Sequence, residues 1–166
     1  VAKKIQSHGE KGRATKPQRH KGTRRNQLSV LVAKNTNMLS HEIENIGKVI
    51  VNAAYKIHKE LGPGLLEKVY EICLAYEVSK EGIEVLRQLD IPIVYDGITF
   101  SEGLRLDLLV GGEVIVEVKA IDLVNPVWEA QILSHLKLTG KQLGFLINFN
   151  VPLIKNGIKR FINTKK

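Results

Sequence analysis

Apolar residues at Ile43, Ile46, Ile50, Ala53, Ala54, Ile57 and Leu61 recur in steps of three and four, which predicts a helix over residues 40–61. Ser40 stands before it as an N-cap, and Glu42 and Glu44 follow in the first turn, where the helix dipole favours negative charge. Gly62, Pro63 and Gly64 stop it. A second helix is predicted over 65–80, with an apolar face of Leu66, Val69, Tyr70, Cys73, Leu74 and Val78 and a stop at Gly82. The period then changes. Val85, Leu89, Ile91 and Ile93 alternate in part, which predicts a strand over 84–95; Pro92 marks it as an edge or as interrupted. Asp96-Gly97 reads as a turn, and residues 103–110 and 113–119 as strands joined around Gly111-Gly112. Pro126 opens a third helix reaching about 138, with apolar Val127, Ala130, Ile132, Leu133, Leu136 and Leu138, and Gly140 ends it. Residues 143–149 form a continuous apolar run, the mark of a buried strand. Residues 153–163 read as a turn at Asn156-Gly157 and then a short strand or helix. The order α-α-β-β-β-α-β predicts an α/β (α+β) sandwich around one core.

Composition sets bounds on this picture. The 166 residues are 43% hydrophobic and 25% charged, ordinary values for a folded soluble protein. The single cysteine, Cys73, excludes an intrachain disulfide and fits a reducing, cytoplasmic setting. No apolar run approaches the roughly 18 residues of a membrane span, and no secretory signal is expected at the N-terminus. The net charge of +8 invites a nucleic-acid partner. That charge is uneven. Residues 1–37 hold ten bases and one acid, and residues 38–166 hold fifteen bases and sixteen acids. Residues 1–37 are therefore expected to be a basic, disordered tail. The chain begins with Val, its only methionine is Met38, and periodic sequence starts directly afterwards. This suggests that the tail is a non-native upstream extension, with a single domain over 38–166. Within that domain, residues 38–129 sum to −8 and residues 130–166 to +7. Such a layout suits a metal site beside a phosphate track, or a surface whose charge is merely uneven.

The candidate chemistry lies in the two strands around Gly111-Gly112. Side chains alternate along a strand, so Glu117 and Lys119 share one face while Val114, Val116 and Val118 take the other. Charges in so apolar a strand are costly to bury without partners or a task. Asp107 is equally isolated between Leu106 and Leu108. A two-residue loop would pair 107 with 116 and separate the two carboxylates. A three-residue loop over 111–113 pairs 110 with 114 and sets Asp107 beside Glu117, so that loop or a bulge is expected. Two adjacent carboxylates repel, and a hard divalent cation such as Mg²⁺ relieves the repulsion. The cation would acidify a bound water and neutralise charge on a phosphate, and a neighbouring lysine would orient the water or stabilise the phosphate. The competing reading is an ion network at a strand end.

Asp107…Glu117-Val-Lys119 resembles the core of the PD-(D/E)xK nuclease superfamily. Gly64-Leu-Leu-Glu67-Lys-Val-Tyr70 matches the motif of the GxxExxY protein family within it. The flanking Lys59-Glu-Leu-Gly-Pro-Gly64, Gln131-Ile-Leu-Ser-His135 and Leu143-Gly-Phe-Leu-Ile-Asn-Phe149 agree, so the resemblance spans about 43–163. It implies a restriction-endonuclease-like αβββαβ core, a mixed central sheet flanked by helices. It implies a metal-dependent nuclease acting on phosphodiester bonds in nucleic acid, DNA being favoured over RNA. Asp107 and Glu117, helped by Glu67, would hold Mg²⁺ or Mn²⁺, and Lys119 would be the catalytic lysine. Gln131, Tyr70 and His135 would touch substrate or support the site, His135 standing where many relatives carry tyrosine. Tyr70 also falls on the apolar face, where a packing role is open to it. Lys137, Lys141, Lys155, Lys159 and Arg160 are candidate phosphate contacts. No membrane partner is expected; a homodimer would help so small a domain span a duplex. Two rival readings remain: a catalytically silent nuclease-fold protein that binds nucleic acid or a protein partner, and a purely structural α/β protein.

Overall fold

Ser40 begins the first helix as its type predicts, its hydroxyl accepting a hydrogen bond from the Ile43 amide at 3.2 Å. The computed structural model describes residues 39–123 and 125–164, without the side chain of Glu102. The expectations for residues 1–37, and those for Lys165 and Lys166, lie outside the described residues. Helix α1 (His41–Leu61) buries Ile43, Ile46, Gly47, Ile50, Ala53, Ala54 and Ile57, while Leu61 is exposed. Gly62 caps it with a positive φ of 67°, which glycine reaches without strain, and its amide donates to the His58 carbonyl. At Gly47 a β-carbon would stand 3.3 Å from Leu143 and Phe145, so the missing side chain sets how closely α1 approaches the sheet.

Helix α2 (Glu67–Ser79) is rotated from the expected face. It buries Tyr70, Glu71, Leu74, Ala75 and Val78, whereas Leu66 and Val69 are exposed and Cys73 is half-buried. The cause is electrostatic. The Glu71 carboxylate meets the Arg87 guanidinium at 2.8 Å, and a paired carboxylate can occupy a position that the apolar pattern alone would not assign to it.

Strands β1 (Val85–Tyr95) and β2 (Ile98–Val110) form a long antiparallel hairpin. Its turn is Asp96-Gly97, with φ of 47° and 78°, the primed-turn geometry that follows strand twist. β2 begins earlier than expected, because Tyr95 and Ile98 already pair across this tight turn. The register shifts between Ile91 and Ile93, at Pro92, and among the described residues β1 lies at one edge of the sheet. Strand β3 (Val114–Lys119) follows a three-residue loop: Val110 pairs with Val114 and Leu108 with Val116. Gly111 and Gly112 both have positive φ there. Helix α3 (Val127–Thr139) returns the chain to β4 (Leu143–Asn148), which lies parallel to β3 and is buried throughout. Of its expected apolar face only Ile132 and Leu136 are buried; Val127, Leu133 and Leu138 are exposed. The buried stripe of α3 runs instead through His135, which has a charged partner in the sheet. After a 3-10 turn at Ile154–Asn156, the ambiguous last segment forms strand β5 (Ile158–Ile162), antiparallel to β4.

Among the described residues the sheet order is β1-β2-β3-β4-β5, with β3 and β4 parallel and the other neighbours antiparallel. One core packs Ile50, Tyr70, Leu74, Leu108, Val116, Val118 and Phe145 between α1, α2 and the sheet. A smaller one on the other face gathers Leu104, Leu106, Ile115 and Leu136 with Leu89 and Ile91. This is the mixed α+β sandwich expected of the chain. Strand alternation breaks once at a telling place. Leu108 and Leu106 share a parity yet join different cores. Asp107 lies between them, and across the hairpin Gln88 has a φ of 50°.

Gly157 joins the last turn to β5. A β-carbon there would come within 2.0 Å of the Asn148 carbonyl oxygen, while the Gly157 carbonyl accepts from the Asn148 amide. Gly157→Ala is expected to destabilise the domain by about 1–3 kcal/mol, as forced overpacking does. Denaturant unfolding beside the wild type checks this; an unchanged midpoint would contradict the close approach.

Candidate active site

The three-residue loop decides what β2 can present to β3. With Val110 opposite Val114, Asp107 falls beside the end of β3, and its Oδ2 accepts the Val118 amide at 3.0 Å. Val114, Val116 and Val118 point into the core under α1 and α2, so Glu117 and Lys119 emerge on the opposite face, toward α3. Glu67 is the first residue of α2. Its approach depends on Tyr70, whose hydroxyl donates to the Gly62 carbonyl at 2.6 Å and accepts from the Leu65 amide at 3.1 Å. The Tyr70 ring stacks on Phe149 with centroids 4.5 Å apart. Tyr70 is therefore a fully buried clamp on the loop that delivers Glu67, and its hydroxyl is already engaged on both sides.

These elements converge on one ammonium. Lys119 Nζ lies 3.5 Å from Asp107 Oδ2, 3.6 Å from Glu67 Oε1 and 4.0 Å from Glu117 Oε2, and it donates to the Val118 carbonyl at 2.9 Å. Glu117 is 2% exposed, and its other oxygen is 2.9 Å from His135 Nδ1. Three carboxylates thus face one lysine, which leaves an excess of negative charge. Burial pushes the Glu117 carboxyl above its ordinary range, against the pull of the His135 hydrogen bond, and the charge of Asp107 pushes the same way as burial. Burial also raises Glu67, against the attraction of Lys119.

Hard carboxylate oxygens beside an uncompensated negative charge fit a small divalent cation, which takes one or two carboxylates and keeps several waters. Among the described residues no three acidic, histidine or cysteine side chains are gathered as a ready metal cage. The carboxylates are spaced around the Lys119 ammonium instead, an arrangement suited to a cation shared with substrate oxygens.

The other candidates are placed more variously. Gln131 is half-buried one turn before His135 on α3, and its side chain makes no hydrogen bond to another described residue. The basic strip is partly neutralised. Lys159 pairs with Glu129, Arg160 with Glu44, and Lys141 with Glu113 at 3.7 Å. Lys137 and Lys155 are exposed and form no ion pair with a described residue. Lys159 also lines a small cleft beside Lys119, with Trp128 and Asn156. His58, which has no partner evident in sequence, contacts the Val151 carbonyl at 2.7 Å.

Sequence reasoning missed Asn148 and the group Glu71, Arg87 and Gln88. Asn148 accepts the Ile121 and Asn150 amides and donates to the Ile121 carbonyl, fastening the chain just beyond Lys119. Its signal was present: a lone polar side chain in the apolar run of β4. Glu71 had one too, as a charge set between Tyr70 and Leu74.

The raised Glu117 predicts a definite pH effect. The folded state holds this proton to higher pH than the unfolded chain, so its contribution is fully present below the ordinary carboxylate pKa. It is lost as pH rises through the folded value. Glu117→Gln is expected to melt a few degrees above the wild type at neutral pH, with the gap closing in acid, by calorimetry across pH. A gap independent of pH would contradict the assignment.

The sequence matches the family model of the PD-(D/E)XK nuclease superfamily over residues 44–161, a span containing every member of the cluster around Lys119. No curated protein and no solved structure matches the chain. By the extent of that match, the chain belongs to the PD-(D/E)XK nuclease superfamily.

Proposed function

We propose that the protein is a metal-dependent nuclease that hydrolyses phosphodiester bonds in nucleic acid, with DNA the favoured substrate. The observation that carries this reading is the Lys119 ammonium set 3.5–4.0 Å from Glu67, Asp107 and Glu117. Membership of the nuclease superfamily supports it. The narrower placement in the GxxExxY family rests on Gly64, Glu67 and Tyr70, whose clamp on the loop before α2 gives the motif a physical purpose.

Asp107 and Glu117, helped by Glu67, would hold Mg²⁺ or Mn²⁺, which when bound acidifies a water and neutralises phosphate charge. The chain itself supplies the rest. Lys119 offers a hydrogen-bond donor to the phosphate oxygen that gains charge as water adds and the leaving oxygen departs. The hydrogen bond between His135 and Glu117 fixes the orientation of that carboxylate. Gln131, on the same helix face as His135, is free to meet substrate. Exposed Lys137 and Lys155 are the bases best placed to attract the backbone without first breaking an ion pair. Among the described residues no helix is long and apolar enough to cross a membrane. The lone thiol of Cys73 suits a reducing cytoplasmic setting.

The test is cleavage of single- and double-stranded DNA and RNA with Mg²⁺, with Mn²⁺ and with chelator. Metal-dependent cleavage is expected, with Lys119→Ala lowering kcat by about 10²–10³, and with Asp107→Ala and Glu117→Ala inactive. Full activity in any of the three, or in chelator, would reject this mechanism. Binding without cleavage under every metal would favour a silent nuclease fold.

A further inference from the structure

Gln88 stands in β1 with φ 50°, a backbone region that residues with a β-carbon enter at a cost. Arg87 pairs with Leu108 and Leu89 with Leu106, so Gln88 faces Asp107 across the hairpin. Its amide nitrogen donates to Asp107 Oδ1 at 3.3 Å and to Glu71 Oε2 at 2.8 Å. One amide group carries two hydrogens on its nitrogen, and here each has a carboxylate. The reversed amide would aim its oxygen at both acids, so the two charges dictate its orientation. Glu71 is itself buried and held on its other oxygen by Arg87, whose Nε donates at 2.9 Å. A chain of contacts thus runs from the buried Glu71 carboxylate, paired with the more exposed Arg87, through a strained glutamine to Asp107.

We propose that Gln88 is a positioning residue for the site: its amide, anchored by Glu71 and Arg87, fixes the rotation of the Asp107 carboxylate. This rests on the proposed metal-dependent function. The Val118 amide holds one oxygen of Asp107 and Gln88 the other, so the carboxylate plane is set from two sides and its remaining lone pairs point in fixed directions. The unfavourable φ has a use under this reading. It accompanies the break in alternation that sends Leu108 and Leu106 to different cores, and it lets one side chain reach both acids.

The experiment separates backbone from amide. Gln88→Gly removes the amide and relieves the positive φ, so the variant is expected to melt no lower than the wild type. Its affinity for Mn²⁺, read by the resonance of the free ion in solution without nucleic acid, is expected to fall about tenfold or more. Gln88→Glu, which brings a third carboxylate up to Glu71 and Asp107, is expected to melt below the wild type. Equal Mn²⁺ affinity in wild type and Gln88→Gly overturns the positioning role while leaving the nuclease reading intact. A wild type that binds no Mn²⁺ overturns both.

Discussion

Bringing several carboxylates within a few ångströms of one another, partly out of water, is the demand around which this domain is arranged. Like charges in a medium of low polarity repel strongly, and each also loses hydration. The chain answers with one ammonium from the same strand, with hydrogen bonds from a histidine and a backbone amide, and with a position at the rim of the sheet. What it leaves uncompensated is negative charge. A domain selected for stability alone would have placed apolar groups at these positions, and this residual charge is what the proposed metal site rests on.

Each element near the site serves that arrangement. The odd loop between β2 and β3 sets the parity that brings Asp107 beside Glu117 and Lys119. The parallel β3–β4 pair requires a crossover, and the crossover helix carries His135 to Glu117. Tyr70 anchors the turn from α1 to α2, so Glu67 is presented by the first turn of a helix whose body is locked into the core. The site is consequently assembled from positions far apart in sequence.

Much of this was legible beforehand, for reasons that can be named. The steps of three and four in α1, its serine cap and the glycine stops are local signals, and local signals survive folding. The loop length followed from a parity requirement: an odd loop or a bulge is needed to place the two isolated acids together, and the chain uses the odd loop. The failures share a different character. Burial of Glu71, and with it the rotation of α2, depends on Arg87, which lies sixteen positions later on another element. Pairing of Arg160 with Glu44 spans 116 positions, so a strip that is uniformly basic in sequence is partly neutral in space. For His135 the resemblance offered only a position where many relatives carry tyrosine, and its actual partner, Glu117, lies eighteen positions earlier on a strand. Periodicity reports which face of an element is apolar; it does not report which charges will find one another.

The outermost strand has a consequence of its own. Among the described residues β1 is paired along one side only, is interrupted at Pro92, and keeps much of its surface in solvent. Edge elements of this kind open more often than the core they border. Yet β1 supplies both Arg87 and Gln88, the supports of Glu71 and Asp107. Cooperative melting and competence of the site are therefore separate properties in this molecule. A fluctuation that frays β1 would loosen the Asp107 carboxylate together with the smaller core, to which Leu89 and Ile91 belong, while the larger core under α1 and α2 need not open with it.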